Sequence, residues 1–299
     1  KDITQFDGTR FKVFDKRYIP TVDLNRTPIT LSADDLWFRD QKKVGVYRFD
    51  GAHLSFLSFE GSPLNLTSNY DHFWISEITE FSHDQVWFGT LDQGAIGFDG
   101  ASFTMIDNAV LGLDGHSEIV HIRSMLKDSK GRLWNGNNGI GVLLKQGDAI
   151  TNFSKDQGQL IPYPSFAQQD YHSNGLQAVF ALEEDRAGNI WFGESTTGAW
   201  KFDGQTLTNY TDIYQEQEEA AIIWDIYSDR KGRLWFILST GDVYLFNGTS
   251  FESFEGFEKQ HLITTASLNH DSYRFYPSRS PMAADCLPIC WCLGLWRTF

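Results

Sequence analysis

Short apolar runs alternate with turn signals along the chain, and residues 185–204 show this pattern most clearly. The stretch begins with an Asp-x-x-Gly sequence, which is followed by an apolar run containing Trp191. A glycine-containing bend leads to a second run, which ends at Phe202 and is followed by Asp203-Gly204. Asp-Gly between two apolar segments is typical of a hairpin with a two-residue type I′ turn. The stretch therefore predicts short strands joined by tight turns.

This pattern recurs along the chain. Its tryptophan appears at five places: Trp37, Trp87, Trp134, Trp191 and Trp235. Its hairpin glycine appears at six places, which lie 43 to 57 residues apart: Gly8, Gly51, Gly100, Gly147, Gly204 and Gly248. About four strands per repeat at this period predict an all-β chain folded as a β-propeller. Paired helices are excluded, because the glycine turns leave too few uninterrupted residues for them.

The two chain ends predict how the propeller closes. Residues 1–14 form a hairpin with no Trp strand before it, which makes them the outer half of a repeat. Residues 262–277 have the pattern of an inner half, since His270–Phe275 aligns with His83–Phe88. Pairing of these halves would close about six four-stranded blades without open sheet edges, with seven blades as the alternative. We assign the propeller to residues 1–277 and a non-repeat tail to residues 278–299.

The first full repeat is expected to run from Ile29 to Phe59 with a short inner strand before a turn at residues 33–35. The aspartates that begin the Asp-x-x-Gly turns are expected to bond to backbone amides two residues on. The repeated tryptophans are expected to pack between neighbouring blades. We therefore interpret both sets as structural.

Charge and composition narrow the function. A formal net charge of −14 argues against a nucleic-acid partner, which would need clustered Lys and Arg. No apolar run approaches the roughly 20 residues of a membrane-spanning helix. The three cysteines lie in the tail, without a nearby histidine or a second cysteine pair, so no metal site is predicted there: Cys286, Cys290 and Cys292.

The repeat consensus Ile-x2-Ile-x2-Asp-x2-Gly-x-[Ile/Leu]-Trp-Phe-Gly resembles the two-component regulator propeller repeat. Residues 122–141, 179–200 and 222–243 carry the resemblance most clearly, and it covers roughly residues 29–277. The resemblance implies a non-enzymatic bacterial sensor, periplasmic or extracellular, that binds a small molecule, carbohydrate or peptide and contacts a signalling partner. The chain departs from the family in having no recognisable transmembrane, kinase or DNA-binding region.

A second resemblance supplies an alternative function. The virginiamycin B lyase family has similar Asp-Gly-x-x-Trp-Phe repeats, which implies a propeller lyase or hydrolase that depends on a metal. No cofactor is predicted from the residues themselves, which leave open whether a divalent metal ion binds. In this alternative, a histidine of the loop face acts as the general base near pH 7.

Candidate ligand-binding residues are sought in the loops between repeats, because these loops differ most from copy to copy and meet at one face of a propeller. Four histidines lie a few residues before inner strands, and three aromatic side chains could stack on a flat ligand. The predicted loop face is His72, His116, His172, His261, Tyr171, Trp74 and Trp224. His121 lies just inside the third inner strand in this interpretation. Polar rim residues and simple packing remain the competing explanation for all of them.

Overall fold

The computed structural model describes residues 3–6, 10–23, 29–40, 43–60, 73–111, 120–160, 175–214 and 221–254. Within these ranges the chain is built from strands, with one short α-helix, α1 (Phe153–Asp156), and two single-turn 3-10 helices. The chain divides into two compact units, the first comprising Lys1–Gln169 and Asn174–Val179 and the second Asp170–Ser173 and Phe180–Phe299. The prediction of an all-β chain is confirmed for the described residues.

The first unit begins with a two-stranded hairpin and a four-stranded sheet. Their strands are β1 (Ile3–Phe6), β2 (Phe11–Phe14), β3 (Thr21–Asp23), β4 (Leu36–Arg39), β5 (Gly45–Phe49) and β6 (Leu54–Ser58). β1 pairs antiparallel with β2, and β4, β5 and β6 form an antiparallel meander. β3 joins that meander at its β6 edge in parallel, which gives the order β3-β6-β5-β4.

The expected inner strand of the first repeat is wrong, since residues 29–32 form no strand. The Ile29 N–H donates to the carbonyl of Gly100, and the Thr30 carbonyl accepts from the Arg48 guanidinium. The Ser32 N–H donates to the Asp35 carboxylate. These partners take the backbone groups that an inner strand would offer to β4.

Two further sheets of the first unit are antiparallel meanders in chain order. Their strands are β7 (Ile75–Ser82), β8 (Gln85–Thr90), β9 (Ala95–Phe98), β10 (Phe103–Ile106), β11 (Ile122–Lys127), β12 (Leu133–Asn137), β13 (Val142–Gln146) and β14 (Ala149–Asn152). The predicted order of strand, turn, strand, turn, strand, hairpin and strand is confirmed in both.

The second unit repeats this arrangement twice. Its strands are β15 (Val179–Glu184, in this unit from Phe180 on), β16 (Ile190–Glu194), β17 (Ala199–Phe202), β18 (Leu207–Tyr210), β19 (Ile223–Ser228), β20 (Leu234–Leu238), β21 (Val243–Phe246) and β22 (Phe251–Ser253). Residues 262–277 and the tail lie outside the described residues, so the blade count, the closure and the domain bounds stay predictions.

The Asp-x-x-Gly turn is held by its aspartate. Asp185 Oδ1 accepts from the N–H groups of Ala187 and Asn189, both at 2.9 Å, and Oδ2 accepts from Trp191 Nε1 at 2.9 Å. Gly188 has φ of 81°, which a residue with a Cβ would adopt only under strain. Asp128 and Asp229 make the same bonds to a tryptophan six residues on. The structural interpretation of these aspartates is confirmed.

The Asp-Gly hairpins differ from the predicted two-residue turns. The loop between β9 and β10 has four residues, from Asp99 to Ser102. Asp99 Oδ1 accepts from the N–H groups of Ala101 and Ser102, and the Asp99 N–H donates to the Ser102 carbonyl. Three other loops repeat this geometry and begin at Asp50, Asp203 and Asn247. A two-residue loop, Gly147-Asp148, occurs in the hairpin that lacks Asp-Gly. The side-chain oxygen of the Asp or Asn accepts hydrogen bonds from backbone N–H groups of the four-residue loop. The loop is therefore closed without a type I′ turn.

Three of the repeated tryptophans, Trp37, Trp87 and Trp191, pack between successive sheets of a unit, as predicted. Trp87 lies in one cluster with Ile122, Met125 and Leu143 of the next sheet. In the second unit the Trp191 ring meets the Phe236 ring edge-on at 5.5 Å. These clusters are the core that fixes each sheet beside its neighbour within a unit.

Candidate functional site

Most of the predicted loop face lies outside the described residues: His72, His116, His172, His261 and Tyr171. These five residues stay predictions. The structure places Trp74 immediately before β7, where its carbonyl accepts from the Leu91 N–H at 3.1 Å and its side chain is half-buried. No contact of the Trp74 ring decides between packing and ligand binding.

Trp224 lies on β19 at an irregularity in the pairing with β20. Its ring stacks on the Phe180 ring, with centroids 5.6 Å apart and an interplanar angle of 22°. The side chain keeps 38% of its surface exposed, which is unusual for so large an apolar group on an inner strand. Its role as a stacking surface for a ligand stays a prediction.

The strongest candidate site in the described residues lies at one end of the third sheet and was not predicted. We call it the polar cluster: His121, Asn135, Asn137 and Gln177. Asn137 ends β12, and Ile122, directly after His121, lies opposite it in the register. Because side chains alternate along a strand, Asn135 shares the face of Asn137.

Backbone hydrogen bonds hold the three segments of the polar cluster together. The Asn138 N–H donates to the His121 carbonyl at 3.0 Å. The N–H groups of Gly139 and Gly141 donate to the Gln177 carbonyl at 3.1 and 2.8 Å. The turn after β12 is thus fixed between the residues that precede two inner strands.

The side chains of the polar cluster are buried but have unpaired polar atoms. Asn135 and Asn137 are fully buried, and Gln177 is 2% exposed. Asn137 Nδ2, Asn137 Oδ1, Gln177 Nε2, His121 Nε2 and Asn135 Oδ1 have no hydrogen-bond partner among the described residues. A buried polar group left without a partner costs about 1–3 kcal/mol, so such a concentration calls for a partner.

Equivalent positions in other repeats satisfy themselves. Thr90, at the end of β8, donates through Oγ1 to the Gly94 carbonyl at 2.8 Å and accepts from the Gln93 N–H. Glu194, at the end of β16, accepts from the N–H groups of Thr196 and Thr197 at 2.7 and 2.8 Å. Each side chain closes the loop that follows it, and Asn137 does not.

Asn135 also departs from its repeat. The matching position holds a fully buried phenylalanine in three other sheets: Phe88, Phe192 and Phe236. Asn135 Nδ2 donates to the carbonyls of Leu133 and Leu143 only at 3.5 Å, a distance at which a hydrogen bond is weak. A carboxamide therefore replaces an apolar ring at the centre of β12.

The polar cluster carries no charge of its own at neutral pH. Burial, together with the nearby Arg123 guanidinium, lowers the pKa of His121 to about 4. The imidazole is therefore neutral at pH 7, and its low basicity makes it a poor general base there. Neutral amides and a neutral imidazole can orient a ligand by hydrogen bonds, each amide both donating and accepting.

A separate titratable group lies in the second unit. Burial, and then the Asp225 carboxylate, raise the pKa of Glu183 to about 8. Its Oε1 accepts from the Ser228 N–H at 3.3 Å. Glu183 is therefore protonated at neutral pH and lies between β15 and β19, inside the packing of the unit.

The described ranges contain few other candidate sites. No three His, Cys, Asp or Glu side chains gather there in an arrangement that could hold a metal ion. None of the helices in these ranges has the length and apolar character needed to cross a bilayer.

Sequence reasoning missed the polar cluster because it looked for histidines and aromatic residues in loops. The available signal was the repeat itself: the run Trp-Phe-Gly becomes Trp134-Asn135-Gly136 in the third copy. The prediction that His121 lies just inside the third inner strand is wrong, since His121 lies one residue before β11.

No protein family and no curated protein matches the chain at the level of sequence. Solved structures with a similar fold are found. The extracellular domain of the proposed hybrid two-component system BT3049 from B. thetaiotaomicron matches 86% of this chain with 17% identity and a TM-score of 0.55. The extracellular domain of BT4673 from the same organism matches 69% with 18% identity and a TM-score of 0.46. The WD40 β-propeller domain of Doa1 matches 69% of this chain and 58% of its own, with 9% identity and a TM-score of 0.43.

The chain spans only part of the extracellular domains that it resembles. It covers 33% of the BT3049 domain and 25% of the BT4673 domain. At these identities the likeness to BT3049 shows a shared fold, in which short four-stranded sheets follow one another along the chain.

Proposed function

We propose that this chain is a ligand-binding sensory propeller that acts outside the cytoplasm and catalyses no reaction. The polar cluster carries the proposal, because buried amide atoms that lack hydrogen-bond partners among the described residues are suited to holding a ligand in one orientation. The sensory role is supported by the extracellular two-component domains that share the fold. A signalling partner would then read the bound state.

A ligand screen on the full chain tests the proposal. A compound that binds the folded state raises the melting temperature, by an amount set by its concentration and dissociation constant. We expect at least one peptide, sugar or small metabolite to raise the melting temperature and to be recovered unchanged by mass spectrometry. Turnover of the bound compound would overturn the non-enzymatic proposal, and no stabilisation by any compound would overturn ligand binding.

The enzyme alternative depends on the four loop-face histidines, which lie outside the described residues. Metal analysis of the purified protein tests it. A stoichiometric divalent ion that is lost in the His72→Ala, His172→Ala double variant would favour the metal-dependent lyase or hydrolase. Binding of the ligand found in the screen should otherwise persist without added metal.

For the fold, the proposal includes a closed propeller in which residues 262–277 complete the sheet begun by β1 and β2. Phe11 and Val13 are 73% and 60% exposed. Their counterparts on β10, Phe103 and Met105, pack against the core of the first unit. The apolar face of the hairpin therefore has the composition of a covered surface.

The repeat alignment gives this closure a register. β8 pairs with β9 so that Trp87 lies opposite Gly97. Gln5 matches Gly97, and Arg274 matches Trp87. Residues 5 and 274 should therefore lie opposite each other in the closed molecule.

A disulfide test follows from that register. With the three native cysteines replaced by serine, the pair Gln5→Cys and Arg274→Cys should oxidise readily, because directly opposite residues have suitably close Cβ atoms. Thr4→Cys with Arg274→Cys is the control, since a shift of one residue turns the side chain to the other face. Equal cross-linking of both pairs, or of neither, would contradict the closure.

A further inference from the structure

We propose that the polar cluster is a binding site for an uncharged primary amide group, a carboxamide. This inference rests on the proposed function and deepens it by naming the ligand chemistry. It begins from Asn137, whose carboxamide has both its donor and its acceptor free of partners among the described residues while fully buried.

A carboxamide is complementary to another carboxamide. A primary carboxamide offers an N–H donor and a carbonyl acceptor on the same side, so it can exchange a pair of hydrogen bonds with the Asn137 side chain, whereas a trans peptide bond presents the two groups in opposite directions. Gln177 adds a second unpaired donor through Nε2, and Asn135 adds a second unpaired acceptor through Oδ1. Two donors and two acceptors suit the two carbonyl lone pairs and the two N–H groups of one bound carboxamide.

The electrostatics of the polar cluster disfavour a bound cation. The Arg123 guanidinium lies close enough to disfavour protonation of His121, so a bound cation would be repelled as well. The four side chains of the polar cluster carry no formal charge themselves, so they hold a ligand by hydrogen bonds and not by an ion pair. A neutral polar group pays the smallest desolvation cost at this position.

The other repeats argue that this chemistry is specific to the third sheet. The Thr90 and Glu194 side chains close their own loops, and a phenylalanine occupies the place of Asn135 in three sheets. The same backbone is therefore stable without buried free amides. Asn137 forms no side-chain hydrogen bond among the described residues, and Asn135 forms only two weak ones at 3.5 Å.

Titration of the full chain with N-acetylglycinamide tests the inference. Saturable shifts are expected in the NMR signals of the side-chain amides of Asn137, Asn135 and Gln177. Each signal is assigned by its absence from the spectrum of Asn137→Leu, Asn135→Phe or Gln177→Leu. N-Acetylglycine, which has nearly the same size but carries a carboxylate, and glycerol, a neutral polyol, should give no saturable shift at the same concentration.

Variants locate the effect. Asn137→Leu keeps the shape but removes both polar atoms, and it should weaken amide binding about tenfold or more. Asn135→Phe restores the residue of the sister strands and should also abolish binding while the protein stays folded. Thr90→Val is the matched control at the equivalent position of β8, and it should bind the amide within twofold of the unmodified chain.

Three results would overturn the inference: no saturable binding of the amide, equal binding of glycerol, or undiminished binding by Asn137→Leu. The first would mean that ordered water satisfies the polar cluster. If the chain does not bind the amide but another compound stabilises it, the proposed function stands and this inference fails. A chain that responds to no compound loses both.

Discussion

At the scale of single residues, one aspartate organises the turn between the first two strands in three of the repeats, as Asp128, Asp185 and Asp229 show. Burial alone would raise the pKa of Asp128, but hydrogen bonds from Trp134 and Arg132 outweigh it and lower the pKa. The carboxylate thus stays ionised while it ties two backbone N–H groups and an indole together. Such charge-assisted bonds are stronger than neutral ones.

Replacing Asp185 with alanine should therefore destabilise the protein by about 2–4 kcal/mol, because a buried indole N–H and two backbone N–H groups lose their acceptor. Urea unfolding measures the change. Asp203→Ala, which removes two exposed backbone contacts in the same sheet, should cost much less, because water replaces these contacts. Equal losses would show that the indole bond contributes nothing.

The second repeat lacks this aspartate, and its tryptophan shows the effect. Phe81 occupies the position of Asp128, and Trp87 Nε1 has no hydrogen-bond partner among the described residues. Both tryptophans are fully buried, so mutation to phenylalanine creates a similar cavity in each. We expect Trp134→Phe to cost about 1–2 kcal/mol more free energy of unfolding than Trp87→Phe. Urea titrations that give the same loss for both would contradict this account.

At the scale of elements, the sequence predicted the sheets well and their joints less well. The strands were predictable because each apolar run and its turn residues are local signals. The hairpins were given the wrong length, since the Asp99 side chain closes a four-residue loop that Asp-Gly alone does not reveal. The missing inner strand before β4 was unpredictable, because it depends on the distant partners Arg48 and Gly100.

The contact between β15 and β19 predicts a pH dependence. The pKa of Glu183 is raised from 4.5 to about 8 by burial and by Asp225, with smaller contributions from Glu184 and Asp185. The folded chain therefore holds a proton that the unfolded chain has released. This contribution to stability is complete below pH 4.5, and is lost as pH rises through about 8, by at most about 1.4 kcal/mol per pH unit.

Glu183→Gln should remove this slope, because the amide resembles the protonated acid but does not titrate. Free energies of unfolding at a series of pH values from 5 to 9 measure it. Glu184→Gln, at the neighbouring position, is the control and should leave most of the slope in place, because Glu184 contributes less than burial and Asp225 to the raised pKa of Glu183. An unchanged slope in Glu183→Gln would show that another group takes up the proton.

At the scale of the whole molecule, the sequence predicted the all-β repeat but did not predict the polar cluster. The all-β repeat is local in sequence, so a reader of the pattern can find it. The polar cluster joins residues 121, 135, 137 and 177, and its evidence is that atoms lack partners. Such evidence requires coordinates, since sequence shows an asparagine but not whether it is satisfied.

The proposed closure also predicts the effect of shortening the chain. Deletion of residues 278–299 should leave the melting temperature unchanged, because this tail lies outside the repeats. Deletion of residues 262–299 should lower the melting temperature by several degrees, because β1 would keep an open edge and Phe11 would stay exposed. Thermal unfolding followed by circular dichroism measures both. Equal melting temperatures would contradict the closure.

The parallel strand β3 has a consequence for the order of assembly. Most strands pair with chain neighbours and can form soon after synthesis, since short loops close at little entropic cost. β3 can pair only after β6 has been synthesised, because Thr21 lies opposite Phe56, which follows it by about 35 residues in the chain. On a translating ribosome, a strand made early therefore docks late, after the meander behind it has formed.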